Sequence, residues 1–166
     1  SKQEFSFLWV TEFPLFQFSE EDKRIVSEHH PFTSPKKEDI KFLEKEPLKV
    51  RSTAYDLVMN GVELCSGSIR IHDSKLQAKI FKVLGLSEKE AMQKFGHLIT
   101  AFKYGCPPHG GIALGLDRFI MLLAQQESIR DVIAFPKNGR GIAMLEEAPS
   151  EIDKKQLDEL GLQWKK

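Results

Sequence analysis

A chain of 166 residues, 41% of them hydrophobic, is the size of one domain and can fill a core of its own. Its 24 basic and 24 acidic side chains cancel, which excludes a global field that would draw in nucleic acid or an anionic membrane, so any phosphate site must be local. The two cysteines, Cys65 and Cys106, form neither a CxxC pair nor a disulfide framework, as expected for a reducing interior, and no apolar run reaches the roughly 20 residues of a membrane span.

The start, Ser1-Lys2-Gln3-Glu4, has no apolar signal core, and a single compact, soluble unit is expected. Phe5-Ser6-Phe7-Leu8-Trp9-Val10 reads as a buried strand, ended by a loop at Phe13-Pro14-Leu15-Phe16 because proline cannot continue sheet pairing. Beyond a charged stretch, Pro31 and Pro35 keep their predecessors out of helix, which places His29 and His30 on extended backbone. Asn60-Gly61, between Tyr55-Asp56-Leu57-Val58-Met59 and Val62-Glu63-Leu64, predicts an antiparallel hairpin with a type I′ turn. Apolar residues at three- and four-residue spacings predict helices over 74–84 and 88–104. The breaker cluster Gly105-Cys106-Pro107-Pro108-His109-Gly110-Gly111 then leads to a short strand, Ile112-Ala113-Leu114, and a helix beginning at Asp117-Arg118. A further strand is expected over 129–136 and a short helix over 156–160. Hairpin chemistry without βαβ alternation predicts an α+β fold, an antiparallel sheet flanked by helices.

An Asn60-Gly61 turn sets Val58 opposite Glu63, so Asp56 shares a face with Glu63 as its diagonal neighbour. Two carboxylates so placed suit a magnesium ion that bridges to phosphate oxygens, or they simply face water on the open side of the sheet. Arg70 differs from Glu63 by an odd number and would point to the other face, unless a bulge at Ser66-Gly67 restores it. There its guanidinium could fork onto a substrate carboxylate; the plainer reading is a polar position alternating with Ile69 and Ile71. Arg118 at a helix N-terminus opposes the helix dipole by roughly 0.3–1 kcal/mol, which makes sense if it reaches a nucleotide phosphate and otherwise marks a solvated side chain. Gly110-Gly111 and Gly115 lack the Lys-Ser or Lys-Thr of a P-loop. His29 and His30 could donate to an anion, and no carboxylate or cysteine lies at metal-ligand spacing from them.

Four motifs in order, His29-His30-Pro31-Phe32-Thr33, Tyr55-Asp56-Leu57-Val58-Met59-Asn60-Gly61-Val62-Glu63-Leu64, Gly67-Ser68-Ile69-Arg70-Ile71-His72 and Pro107-Pro108-His109-Gly110-Gly111-Ile112-Ala113-Leu114-Gly115-Leu116-Asp117-Arg118, resemble aspartyl-tRNA synthetases of the bacterial or organellar type. The resemblance implies ATP-dependent activation of L-aspartate to aspartyl-adenylate and its transfer to tRNA(Asp), with tRNA(Asn) a possible second acceptor. It implies that Gly115, Leu116, Asp117 and Arg118 bind ATP, that Asp56 and Glu63 hold its Mg2+, that Glu63 and Arg118 serve catalysis, and that His29, His30 and Arg70 bind aspartate. It further implies that residues 1–166 form the C-terminal part of a catalytic domain, inactive alone, without the anticodon-binding domain, the first two class II motifs and the bacterial insertion domain. A homodimer without membrane attachment, in the cytoplasm or the mitochondrial matrix, is the implied setting of the whole enzyme. Cys65-Ser66 departs from the pattern, standing where the family usually has two glycines. A non-catalytic synthetase-like module and an asparagine-activating relative are the competing readings.

Overall fold

The Asn60-Gly61 pair sets the centre of the sheet. Both residues have positive φ, 51° and 81°, which a type I′ turn requires and which asparagine and glycine tolerate. In the computed structural model, which describes residues 4–164, this turn joins β4 (Ala54–Met59) to β5 (Val62–Ile69). Val58 lies opposite Glu63 and Met59 opposite Val62, as the turn dictates. β1 (Phe7–Thr11) pairs with β4, and β6 (Gly110–Leu114) with β5, in an antiparallel sheet of order β1-β4-β5-β6. The Asn60 side chain accepts from Ser6 N at 2.8 Å and donates to Glu4 O at 3.2 Å, tying the chain before β1 to the turn. The α+β expectation holds. The opening residues 1–3, read as lacking a signal core, lie outside the described residues.

Two compact units, Ser1–Leu116 and Asp117–Lys166, replace the single one expected. In the first, a second hairpin, β2 (Phe16–Ser19) with β3 (Arg24–Ser27), occupies part of the stretch read as a loop followed by a charged stretch. Its strands are short and its connection wholly polar, so no periodic pattern betrays it. α1 (Ser74–Val83) starts where the Asp73 carboxylate accepts from Leu76 N at 2.7 Å. α2 (Glu88–Lys103) starts at a reciprocal capping box between Ser87 and Glu90, and that pairing holds the Glu90 carboxyl below its ordinary pKa. α2 breaks at Phe95, which takes non-helical angles while its ring stacks on Phe81, centroids 5.4 Å apart. The core gathers Leu15, Phe16, Leu43, Val50, Ile71, Ile80 and Leu84, so it joins the 13–50 loops to α1 and the chain just past β5.

β1 is a strand, yet it is not buried: Phe7, Leu8 and Trp9 are all more than half exposed. As an edge strand it is covered from one side only, by β4.

The second unit contains α3 (Leu116–Leu123, its first residue belonging to the first unit) and α4 (Lys154–Glu159). Among its described residues only Met121, Ala143 and Leu157 are buried. The strand expected over 129–136 does not form. Ser128 Oγ accepts from Arg130 N at 3.2 Å and opens a 3-10 turn, Ile129–Asp131, and Arg130 Nε donates to Lys137 O at 3.0 Å, folding the segment back. A strand there would also lack a ladder, since only the isolated bridges Lys137–Ala143 and Ala143–Ala148 are formed nearby.

Candidate functional site

One face of the sheet gathers the polar residues. The register of β4 on β5 shifts between Leu57 and Val58, so Leu57 faces Cys65 and Asp56 faces Ser66, with Leu64 as the extra residue. The bulge is therefore at Leu64 and not at Ser66-Gly67. Turn geometry fixes the rungs nearest Asn60-Gly61, but cross-strand packing chooses where the ladder slips, and Leu64 is buried there. The consequence is the one expected: side-chain alternation puts Asp56, Glu63, Ser66, Ser68 and Arg70 on one face. Of the departing pair Cys65-Ser66, the buried Cys65 faces away and Ser66 joins the polar face, directly across from Asp56.

Gly67 is where backbones crowd. A β-carbon there would fall on the carbonyl oxygen of Gly111 and lie 2.6 Å from Tyr55 Cε2, so glycine sets how closely β6 approaches β5.

Arg70 lies one residue beyond β5 and is half-buried. Its backbone N donates to His109 O at 2.9 Å, and it bridges to Thr33 on the other side. Its Nη1 lies 3.1 Å from His30 Nδ1, which also receives Phe32 N at 3.2 Å. A guanidinium and a backbone amide can only donate, so Nδ1 is an acceptor and the imidazole proton sits on Nε2, 3.4 Å from Thr33 Oγ1. Burial lowers the His30 pKa, and the charges of Arg70 and His29 add to it. His30 is thus a neutral ring that orients a cation.

Arg70, His30, Phe32, Ile71, Leu98, Phe102, His109, Gly110 and Gly111 line a cavity of about 430 Å³. Its walls are mostly apolar with a few polar groups, the composition of a small-molecule site. His29 is not among them: it is exposed and stacks edge-on against Phe13, centroids 5.1 Å apart. Of the two histidines expected to bind aspartate, the structure places His30 beside Arg70. His109 was not singled out from the sequence, where its neighbours Pro107, Pro108 and Gly110 marked it as part of a loop; its place next to two glycines that enter a strand is the signal that could have found it.

Asp56 Oδ1 is buried and has no hydrogen-bond partner. An orphaned carboxylate oxygen calls for a donor or a cation. Asp56 and Glu63 on one face fit Mg2+, which takes one or two protein carboxylates and fills its remaining positions with water and phosphate oxygens. Among the described residues no group of three or more His, Cys, Asp or Glu could hold a metal by itself.

Gly115 N donates to Leu64 O at 2.8 Å, so the residue before α3 is tied to the bulge. Leu116 opens α3, Asp117 lies in its first turn and Arg118 follows, exposed, as read from the sequence. No helix among the described residues is long and apolar enough to cross a membrane.

The sequence profile of the class II tRNA synthetases (D, K and N) matches residues 1–139. An aspartate–tRNA(Asp/Asn) ligase of Caldanaerobacter subterraneus subsp. tengcongensis is 60% identical over 96% of this chain and 27% of its own length. An aspartate–tRNA ligase of Clostridium botulinum is also 60% identical, over 97% of this chain and 27% of its own. The chain thus spans about a quarter of the length of these curated relatives. Among solved structures, the aspartyl tRNA synthetase of Entamoeba histolytica matches with a TM-score of 0.61 and 26% identity, over 82% of this chain and 23% of that one. The asparaginyl-tRNA synthetase of the same organism, in complex with asparaginyl-adenylate, matches with a TM-score of 0.57 and 25% identity, over 80% of this chain and 25% of that one. By the profile and by these relatives, the chain is a member of the class II tRNA synthetases of the D, K and N group.

Proposed function

We propose that this chain supplies the aspartate-selecting and ATP-binding part of an aspartate–tRNA ligase. The observation that carries the reading is Arg70, half-buried in an apolar-walled cavity and oriented by the neutral ring of His30. A guanidinium in such a place rewards a side-chain carboxylate with a charge-assisted fork, and an asparagine amide leaves it one charge short. The names of the curated relatives support aspartate, and the shared asparaginyl fold supports no more than the sheet.

In this reading Arg70 holds the side-chain carboxylate of aspartate, and the α-carboxylate attacks the α-phosphorus of ATP. The new bond gives aspartyl-adenylate as pyrophosphate leaves; a ribose hydroxyl at the end of tRNA(Asp) then takes the aspartyl group and releases AMP. No side chain acts as nucleophile, so the protein contributes position and charge. Asp56 and Glu63 hold Mg2+, which when bound offsets phosphate charge. Gly115, Leu116, Asp117 and Arg118 form the nucleotide-binding turn, with Arg118 serving the terminal phosphate, and His30 beside Arg70 completes the aspartate site, while His29, turned to Phe13, stands outside it. tRNA(Asn) is a second acceptor supported by the tRNA(Asp/Asn) names among the relatives. The whole enzyme is a cytoplasmic homodimer in which residues 1–166 form the C-terminal part of the catalytic domain.

Calorimetric titration of the full-length enzyme with non-hydrolysable aspartyl- and asparaginyl-adenylate analogues tests this. We expect preference for the aspartyl compound and a loss of about 2–3 kcal/mol in binding for Arg70→Ala. Because Arg118 is placed on a terminal phosphate that the adenylate lacks, Arg118→Ala should bind these compounds like the parent and weaken only ATP binding. Equal affinity for both compounds, or an Arg70→Ala variant that binds like the parent, would sink the reading.

A further inference from the structure

The loop between α2 and β6 holds a residue with no role in the scheme above. The β5–β6 ladder runs to Ile69 opposite Gly110, and one rung further Arg70 N donates to His109 O at 2.9 Å. The backbone that carries the Arg70 side chain is therefore fixed by Thr33 on one side and by this carbonyl on the other. The end rung of a ladder is where opening begins. It stays closed only if the loop presenting the carbonyl stays put.

His109 is exposed, so packing does not hold it. Its Nδ1 lies 2.9 Å from Pro107 O. A carbonyl can only accept, so Nδ1 carries the proton and donates, closing the chain over Pro108. Cys106 Sγ stands 3.6 Å from the same nitrogen. Nearby crowding leaves the loop little freedom to re-register: a β-carbon at Gly110 would lie 2.9 Å from Ser68 O. A loop so close to β5 either keeps its rung or loses it.

We infer that His109 is a positioning residue: by donating to the Pro107 carbonyl it fixes the loop whose own carbonyl holds Arg70 in place for the aspartate side-chain carboxylate. This rests on the aspartate reading proposed above. The mechanism acts on Arg70 alone and leaves ATP binding untouched.

The test compares His109→Leu with His109→Asn in the full-length enzyme; the two side chains are similar in size, and only asparagine can donate to Pro107. Two quantities are read: KM for aspartate and for ATP in aspartate-dependent ATP–pyrophosphate exchange, and hydrogen–deuterium exchange at the Arg70 amide. Leucine should raise KM for aspartate about tenfold, leave KM for ATP within about twofold, and speed Arg70 amide exchange about tenfold. Asparagine should keep all three within about threefold of the parent. The inference is overturned if leucine leaves either the aspartate KM or the amide exchange at the parent value, or if asparagine behaves like leucine. A parent enzyme that does not activate aspartate sinks the aspartate reading instead, and amide exchange still decides whether His109 holds Arg70.

Discussion

Phe16 on β2 is 2% exposed and Trp9 on β1 is 58% exposed, although the two aromatic residues lie on consecutive strands of one unit. Phe16 belongs to the flank where the 13–50 loops, α1 and Ile71 close on one another. Trp9 sits on the edge strand, meeting Tyr55 edge-on with centroids 6.2 Å apart. The apolar pattern says that each residue is suited to burial and does not say what buries it. Ile71 adjoins Arg70, so the closed flank is also the side that supports the cavity.

The sharpest way to break this comparison is to empty the flank. Phe16→Ala should cost about 3–5 kcal/mol, read from the urea midpoint, because a fully buried ring leaves a cavity behind. A loss under 1 kcal/mol would mean that the flank is not what holds the unit together. Next comes Gly67→Ala. Its β-carbon would fall on the Gly111 carbonyl, and prising β6 from β5 should cost about 1–3 kcal/mol. Because Gly111 lines the Arg70 cavity, aspartate binding should weaken as well, which calorimetry reads.

An ion network braces the same flank. Asp39 is 5% exposed and accepts from Arg51 three times, from Nε at 2.8 Å, from the backbone N at 3.0 Å and from Nη2 at 3.2 Å. Glu12 and Glu38 also meet this guanidinium, and Lys36 pairs with Glu12. The Arg51 hydrogen bonds lower the Asp39 pKa from 3.8 to about 2, and Asp39 in turn raises that of Arg51. With the folded value below the unfolded one, this stabilisation is complete above about pH 4 and is lost as pH falls through about 2. Asp39→Asn should lower stability at neutral pH and flatten the stability–pH curve between about pH 4 and 2, followed by denaturant melts across that range. An unchanged curve would mean that Asp39 contributes nothing to acid sensitivity.

What the sequence disclosed follows the reach of each signal. Asn60-Gly61 fixes its hairpin because the turn is satisfied within a few residues, and α1 and α2 are legible because their apolar residues recur at three- and four-residue spacings, each helix being capped locally, by Asp73 and by the Ser87–Glu90 box. The bulge at Leu64 depends on packing across strands, so the face of Arg70 was anticipated from chemistry while the slip itself was misplaced. Residues 129–136 have a strand's composition, but Ser128 and Arg130 satisfy the backbone in a turn. For His29 and His30, adjacent and alike in sequence, only the fold brings one to Arg70 and turns the other to Phe13.

The smallest expected effect tests the other half of the comparison. Trp9→Ser removes a large ring from an edge strand where it is already mostly in water. Taken alone, this chain should lose at most about 0.5 kcal/mol, since little area returns to solvent and the edge-on contact with Tyr55 is given up. In the full-length enzyme the same substitution should cost more wherever the remaining polypeptide covers β1. The difference between the two losses, measured by denaturant melts of both proteins, reports how much of this strand is covered in the whole. Equal losses would mean that β1 remains an open edge there too, and its apolar face would then need another explanation.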